Sequence, residues 1–304
     1  MVISASRRTD IPRFYSDWFF NRLEEGYVCV RNPMNANQVS RINLNHDTVD
    51  CFVFWSKDPA PMLPKLPLLL HNVYPFYFQF TVTPYERELE LNLRDKKDII
   101  DTFIELSRMI GTEKVIWRYD PIILNEKYTF DFHRQVFEDM CRRLCGYTTV
   151  CNISFVDIYQ KIKKQEESGV LRRITDNEML GLSAELEAIA GKYGIIVKSC
   201  CEDILQKVSG IQRASCIDPK LIEVLLGREI KIRKTIGQRA GCGCMESIDI
   251  GAYNTCSNGC LYCYANSGLR TAERNLETHN SRNELLIGSL REEDKITEKL
   301  MKRI

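Results

Sequence analysis

Six short runs of continuous apolar character, separated by helical patterns, constrain the fold of this 304-residue chain more than any other feature. Residues 2–6, 51–55, 77–82, 114–119, 150–156 and 195–199 are rich in Val, Ile, Phe and Tyr and do not alternate strictly with polar residues. A strand covered on both faces reads this way, because neither face is left to water. Between them, residues 98–110 place Ile99, Ile100, Phe103, Ile104 and Ile110 at helical spacing before Gly111, and residues 132–145 do the same before Gly146. Thr175 and Glu178 form a capping box ahead of Met179, Leu182, Leu186, Ile189 and Tyr193. Repeated β–α–β units require a parallel sheet, and we expect an α/β fold with a partial, TIM-barrel-like β/α barrel. A seventh strand is expected at 247–253, and the charged stretch 291–304 reads as a solvated helix or tail. No Gly-, Ser- or Pro-rich linker divides the chain, so one domain spanning 1–304 is expected.

Composition narrows the class. Apolar residues are 44% and charged residues 27%, which suits a globular protein and not a disordered one. Lys plus Arg is 42 and Asp plus Glu is 41, a net charge of +1, which supplies no general attraction to nucleic acid or an anionic membrane. The N-terminus lacks an apolar secretory core, and no run is long enough for a membrane span. A cytoplasmic location is the corresponding expectation.

In a parallel barrel, functional groups gather where strands end. Here the first run leads into Ser6-Arg7-Arg8-Thr9-Asp10, the second into Ser56-Lys57-Asp58, and the fourth into Arg118-Tyr119-Asp120. The sixth leads into Lys198-Ser199-Cys200-Cys201-Glu202. Polar loop residues also arise from simple helix capping. The repetition of Arg, Lys and Asp at successive strand ends instead indicates a site for a polar, anionic or zwitterionic small molecule, with Arg7, Lys57 and Arg118 as binding cations.

Thirteen cysteines are the compositional anomaly, and eight of them lie between Cys200 and Cys263. Without export, disulfides are not expected, and a dense group points to metal or catalysis. Cys29, Cys51, Cys141, Cys145 and Cys151 are read as buried small hydrophobes. Cys256, Cys260 and Cys263 have the spacing C-x3-C-x2-C within Thr255-Cys-Ser-Asn-Gly-Cys-Leu-Tyr-Cys-Tyr-Ala265. Three thiolates on one loop suit three irons of a cubane cluster, with the fourth iron open to an external ligand.

That loop resembles the cluster loop of the radical S-adenosylmethionine (SAM) superfamily, and its CSNGCLYCYAN wording is similar to the spore photoproduct lyase-like branch. The resemblance implies a 4Fe-4S cluster on Cys256, Cys260 and Cys263, SAM on its open iron, and Tyr262 near the adenine. It implies reductive cleavage of SAM and hydrogen abstraction from a substrate, with a one-electron donor such as flavodoxin or ferredoxin. In that superfamily the loop follows the first barrel strand. Its position here implies a circularly permuted barrel, with 247–253 beside 2–6. Asp10 would then stand where the superfamily contacts the SAM amino group, making it both a catalytic and a cofactor-binding candidate. The chain as a whole also resembles the bacterial family of domain of unknown function 1848, through SRRTDIPRFYSDWF, VRNPMN, QVSRINL, FVFWSKDP, YFQFTVTPYE, VIWRYDPI and QRAGCGC.

Cys200, Cys201, Cys216, Cys242 and Cys244 remain, and four of them suffice for a second Fe-S cluster or a zinc. The preferred set is Cys201, Cys216, Cys242 and Cys244; buried thiols on one wall are the alternative. Glu202 beside them is a candidate proton donor, and Gln238 and Arg239 candidates for orienting the loop. Two other functional classes stay open: a non-catalytic Fe-S or zinc protein, and a nucleic-acid repair lyase.

Overall fold

In the computed structural model of the protein, residues 1–234 and 241–304 are described, so Gln238 and Arg239 lie outside the described residues. The strands are β1 (Val2–Ala5), β2 (Tyr27–Asn32), β3 (Asn35–Asn43), β4 (Cys51–Ser56), β5 (Phe76–Thr81) and β6 (Val115–Ile122). They continue with β7 (Val150–Phe155), β8 (Ile196–Ser199), β9 (Gln212–Arg213), β10 (Ser247–Asp249) and β11 (Lys295–Glu298). Eight of them form one sheet in the order β10-β1-β4-β5-β6-β7-β8-β9. All seven of its ladders are parallel.

The six expected strands are all present, with ends moved by one to three residues. The strand expected at 247–253 is shorter, and it pairs with β1 as expected, Val2 opposite Ser247 and Ser4 opposite Asp249. Apart from β10, the strands follow chain order across the sheet, as single winding of β–α units dictates. The expected ring is a different matter. Among the described residues no ladder joins β9 to β10, so the observed architecture is a large parallel sheet with helices, without hydrogen-bonded closure.

Period-two alternation sorts the strands into two faces. One carries Ile3, Ala5, Phe52, Phe54, Phe76, Phe78, Phe80, Trp117 and Ile153 into the main core. There they meet the helices Lys96–Ile110, Phe130–Leu144 and Asp176–Lys192, whose Phe103, Phe137 and Leu186 are fully buried. The capping box at Thr175 and Glu178 is formed. The other face begins with Val2, Cys51, Val53, Tyr77 and Ile116, a second apolar cluster near the strand starts. Farther along the same strands, past Trp55, it turns polar, at Ser6, Thr81, Arg118, Asp120 and Ser154. Apolar side chains thus plug one end of this face and leave the C-terminal end open.

Two expectations need correction. Residues 291–304 are not a detached tail: β11 pairs in parallel with β3 in a sheet ordered β11-β3-β2, and the Ile304 N–H donates to the buried Asp50 carboxylate at 3.0 Å. Charge on exposed β11, whose outward residues see water, disguised it as a solvated segment. Cys145 is exposed, because it caps the helix Phe130–Leu144 and lies past its buried face, whereas Cys29, Cys51, Cys141 and Cys151 are buried as expected.

Candidate functional site

The polar end of the sheet opens into a cavity of about 520 Å³. Its wall includes Arg7, Asp10, Lys57, Arg118 and Tyr262, together with Cys256, Cys260 and Cys263. Cys200, Cys201, Cys216, Cys242 and Cys244 line it too. Sequence reasoning assigned these groups to separate roles, and the fold brings them to one space. All eight cysteines are free thiols. Among the described residues, no three or more His, Cys, Asp or Glu side chains stand ready-made around one metal position.

The cysteine loop is fastened to distant parts of the chain. Asp249 at the end of β10 accepts from Ser4 Oγ at 2.8 Å, Ser6 Oγ at 2.6 Å, the Arg7 N–H at 2.9 Å and the Gly251 N–H at 3.0 Å. Gly251 is required by close approach, since a Cβ there would stand 2.1 Å from Ser6 Oγ. Tyr15 OH donates to the Thr255 carbonyl at 2.6 Å, and Tyr264 OH to the Arg7 carbonyl at 2.8 Å. The Leu261 N–H donates to the Leu89 carbonyl at 2.9 Å, and Asn92 Nδ2 to the Ser257 carbonyl at 2.8 Å. Gly259 takes the left-handed conformation, φ 72°, and a Cβ there would approach Leu91 Cβ to 2.9 Å. These contacts tie the loop to β1, to the helix Ile11–Phe14 and to the segment after β5.

Asp10 is the hub of that junction. It is only 4% exposed, and its carboxylate accepts from Ser56 Oγ at 2.7 Å, the Lys57 N–H at 2.8 Å, Asn258 Nδ2 at 3.1 Å and the Arg13 N–H at 3.1 Å. Burial raises its pKa, and these donors oppose the rise. With four donors already on its oxygens, Asp10 binds β4 and the cysteine loop to β1.

Glu90 is the functional residue that sequence reasoning missed. It is 1% exposed, accepts from Lys57 Nζ and Thr83 Oγ1, each at 2.7 Å, and also accepts from Lys96 Nζ and Tyr262 OH. Its backbone forms an antiparallel bridge with Cys260. Burial would raise its pKa, but the two lysines outweigh that and bring it down to about 2. Lys57 Nζ lies 5.5 Å from the Tyr262 ring centroid, so one buried carboxylate orients both the cation and the aromatic beside Cys260. The only sequence signal was a Glu in the FTVTPYERELE stretch, indistinguishable from the solvated charges around it.

The other cations differ in their attachments. Arg118, 8% exposed, pairs with Asp120 and donates to Gln79 Oε1 at 3.2 Å and to Cys216 Sγ at 3.0 Å. Arg7 is exposed and lies 5.8 Å from the Trp55 ring centroid. Glu202 is the predicted site residue that does not line the cavity. Its Oε1 accepts the Phe155 N–H at 2.5 Å, which ties the carboxyl to the end of β7, and Oε2 has no partner among the described residues. Burial, with the like charges of Asp120 and Asp157, pushes its pKa up to about 8 against the pull of that hydrogen bond.

The donor chemistry fits a thiolate-held Fe-S cluster, since three free, half-buried thiols of one loop face a cavity with Lys57 nearby. The profile of the family described as a domain of unknown function (DUF1848) matches residues 2–265. No curated protein matches the chain. Among solved structures, a Bacteroides thetaiotaomicron chain provisionally described as an alpha-L-fucosidase is similar at 14% identity, over 74% of this chain and 81% of that one. The TM-score is 0.23, too low to bear on fold or function.

Proposed function

This chain belongs to the DUF1848 family, whose description assigns no activity, and from its site we propose a radical SAM-type Fe-S enzyme acting on a polar small molecule. The observation that carries the reading is the facing of Cys256, Cys260 and Cys263, all free, onto the same cavity as Arg7, Lys57 and Tyr262. The three cysteines would hold a 4Fe-4S cluster, with SAM as its partner. Together these groups would supply one-electron cleavage of SAM and hydrogen abstraction from the substrate.

The chain's own residues supply position and exclusion of water. Tyr262, held by Glu90, presents a ring for an adenine. Arg7 is the exposed cation for a carboxylate, and Lys57, paired with Glu90, partly offsets the burial that pushes the Cys260 thiol up to about 12. Asp10 acts by positioning the loop. Arg118 and Asp120 form the polar floor for the substrate. The parallel pairing of β10 beside β1 supports a permuted order in which β10 acts as the first strand.

Anaerobic reconstitution tests the proposal: about four irons per chain, loss of this iron in Cys260→Ala, and release of 5′-deoxyadenosine from SAM under a low-potential reductant. A colourless protein that takes up only zinc overturns it. An intact cluster with no SAM cleavage favours the second reading, a non-catalytic Fe-S protein, which the many hydrogen bonds fastening the loop to the sheet would suit.

A further inference from the structure

Elsewhere on the cavity wall, Cys200, Cys201, Cys216, Cys242 and Cys244 form a set of sulfur contacts that the proposed reaction does not use. Cys200 Sγ lies 3.5 Å from Cys216 Sγ and 3.9 Å from Cys201 Sγ. Cys244 Sγ sits on the Cys216 backbone N–H at 3.1 Å, and Cys242 is an electrostatic neighbour of Cys201. The neighbours therefore run Cys244, Cys216, Cys200, Cys201, Cys242, with direct sulfur–sulfur contact from Cys216 to Cys201. Three sequence-distant segments supply these residues: the end of β8, the stretch after β9, and the stretch before β10.

Two features distinguish this wall from a set of buried apolar thiols. First, donors are aimed at the sulfurs. The N–H groups of Cys216 and Ile217 both donate to Cys244 Sγ, at 3.1 and 3.3 Å, and Arg118 Nη1 donates to Cys216 Sγ at 3.0 Å. A neutral thiol is a weak acceptor, whereas a thiolate takes up several N–H donors, as metal-bound cysteines do. A guanidinium only 8% exposed beside Cys216 also favours negative charge there. Second, the two direct sulfur–sulfur spacings suit ligation, although the five thiols are not closed around one position. Four sulfurs at about 2.3 Å from one zinc stand about 3.8 Å apart. The Cys200–Cys216 and Cys200–Cys201 separations of 3.5 and 3.9 Å bracket that edge.

We propose that this wall is a second soft-metal site, a tetrathiolate zinc or Fe-S centre with Cys216 and Cys244 as essential ligands. The remaining two ligands come from Cys200, Cys201 and Cys242, which are half-buried and adjoin the cavity. Cys200 thereby joins the set that spacing alone suggested. The substrate space is then lined by both sulfur groups, and the second centre also ties β8 to the segment before β10. This inference is independent of SAM cleavage and of the first loop.

The test uses full-length protein with Cys256, Cys260 and Cys263 all replaced by Ala. That variant is expected to retain about one tightly held metal centre, as zinc without colour or as iron with acid-labile sulfide. After chelation, cobalt(II) is expected to restore a thiolate charge-transfer band. Adding Cys216→Ala or Cys244→Ala abolishes both signals while circular dichroism stays native. If either double-site variant misfolds, wild-type protein still decides: bound metal shields these cysteines from alkylation, and chelation exposes them. A folded triple variant that binds no metal, or metal retained after Cys216→Ala, overturns the proposal. Neither result bears on whether the first loop cleaves SAM.

Discussion

Glu90 sets the residue-scale energetics of the site. Its carboxylate is buried between Lys57 and Lys96, so removing its charge leaves two half-buried ammonium groups short of a partner. Glu90→Gln is expected to destabilise the fold by about 3–5 kcal/mol, checked by urea denaturation of the reconstituted protein. The same residue imposes an acid limit. Its pKa is about 2 in the fold against 4.5 unperturbed, so its contribution is complete above pH 4.5 and is lost as pH falls toward 2. Glu202 acts in the opposite sense. Its carboxyl stays protonated in the fold up to about pH 8 and ionises near 4.5 when unfolded, so it makes stability decline as pH rises between those values. Glu202→Gln should flatten that decline, read as melting temperature against pH; an unchanged slope would show that other groups set it. The cysteine triplet and the strand-end cations were legible as residue types at given positions. The carboxylates that hold them were not, because a buried Glu and a solvated Glu look alike until packing decides which is which.

At the scale of elements, the contact that matters is β10 on β1. Three residue pairs form the ladder, and Asp249 adds hydrogen bonds from Ser4, Ser6, Arg7 and Gly251. Asp249→Ala is expected to cost about 1–3 kcal/mol by leaving those donors unpaired, and to expose residues 247–265 to limited proteolysis before the rest of the sheet. Unchanged protection of that segment would mean that Tyr15, Asn92 and Asp10 suffice to hold it. The apolar strands were legible because burial on both faces leaves an unbroken Val, Ile and Phe signature. The hairpin of β2 and β3 and its partner β11 were not. β3 has the sequence NANQVSRIN, with its first four residues exposed, so its one-sided burial left too few apolar positions to register as a strand.

For the whole molecule, metal binding should couple to stability. Any group held by cysteines of β8, the 216–217 turn and the segment before β10 binds the folded state alone, so metal-loaded protein should melt at a higher temperature than chelated protein. Equal melting temperatures would place the thiols outside any metal site. The balanced charge makes a further prediction at this scale. Fluorescence anisotropy with duplex DNA should show no tight, salt-dependent binding; a steep loss of affinity with salt would revive the repair-lyase alternative. Among the described residues no helix is long and apolar enough to cross a membrane.

Local pattern was enough for the parallel α/β class, the positions of the long apolar strands of the main sheet and the location of the C-x3-C-x2-C loop, because these depend on spacing along the chain. What only the tertiary structure decided was convergence. Arg7, Lys57, Arg118 and two sulfur groups separated by up to 256 residues, from Arg7 to Cys263, share one cavity. That follows from strand order: parallel winding carries every C-terminal strand end to the same rim, and β10 folds back onto β1 to bring the last cysteines to it. Distance in space is set by which strands pair. Pairing depends on long-range backbone hydrogen bonds and on burial of both faces, which no local segment encodes alone.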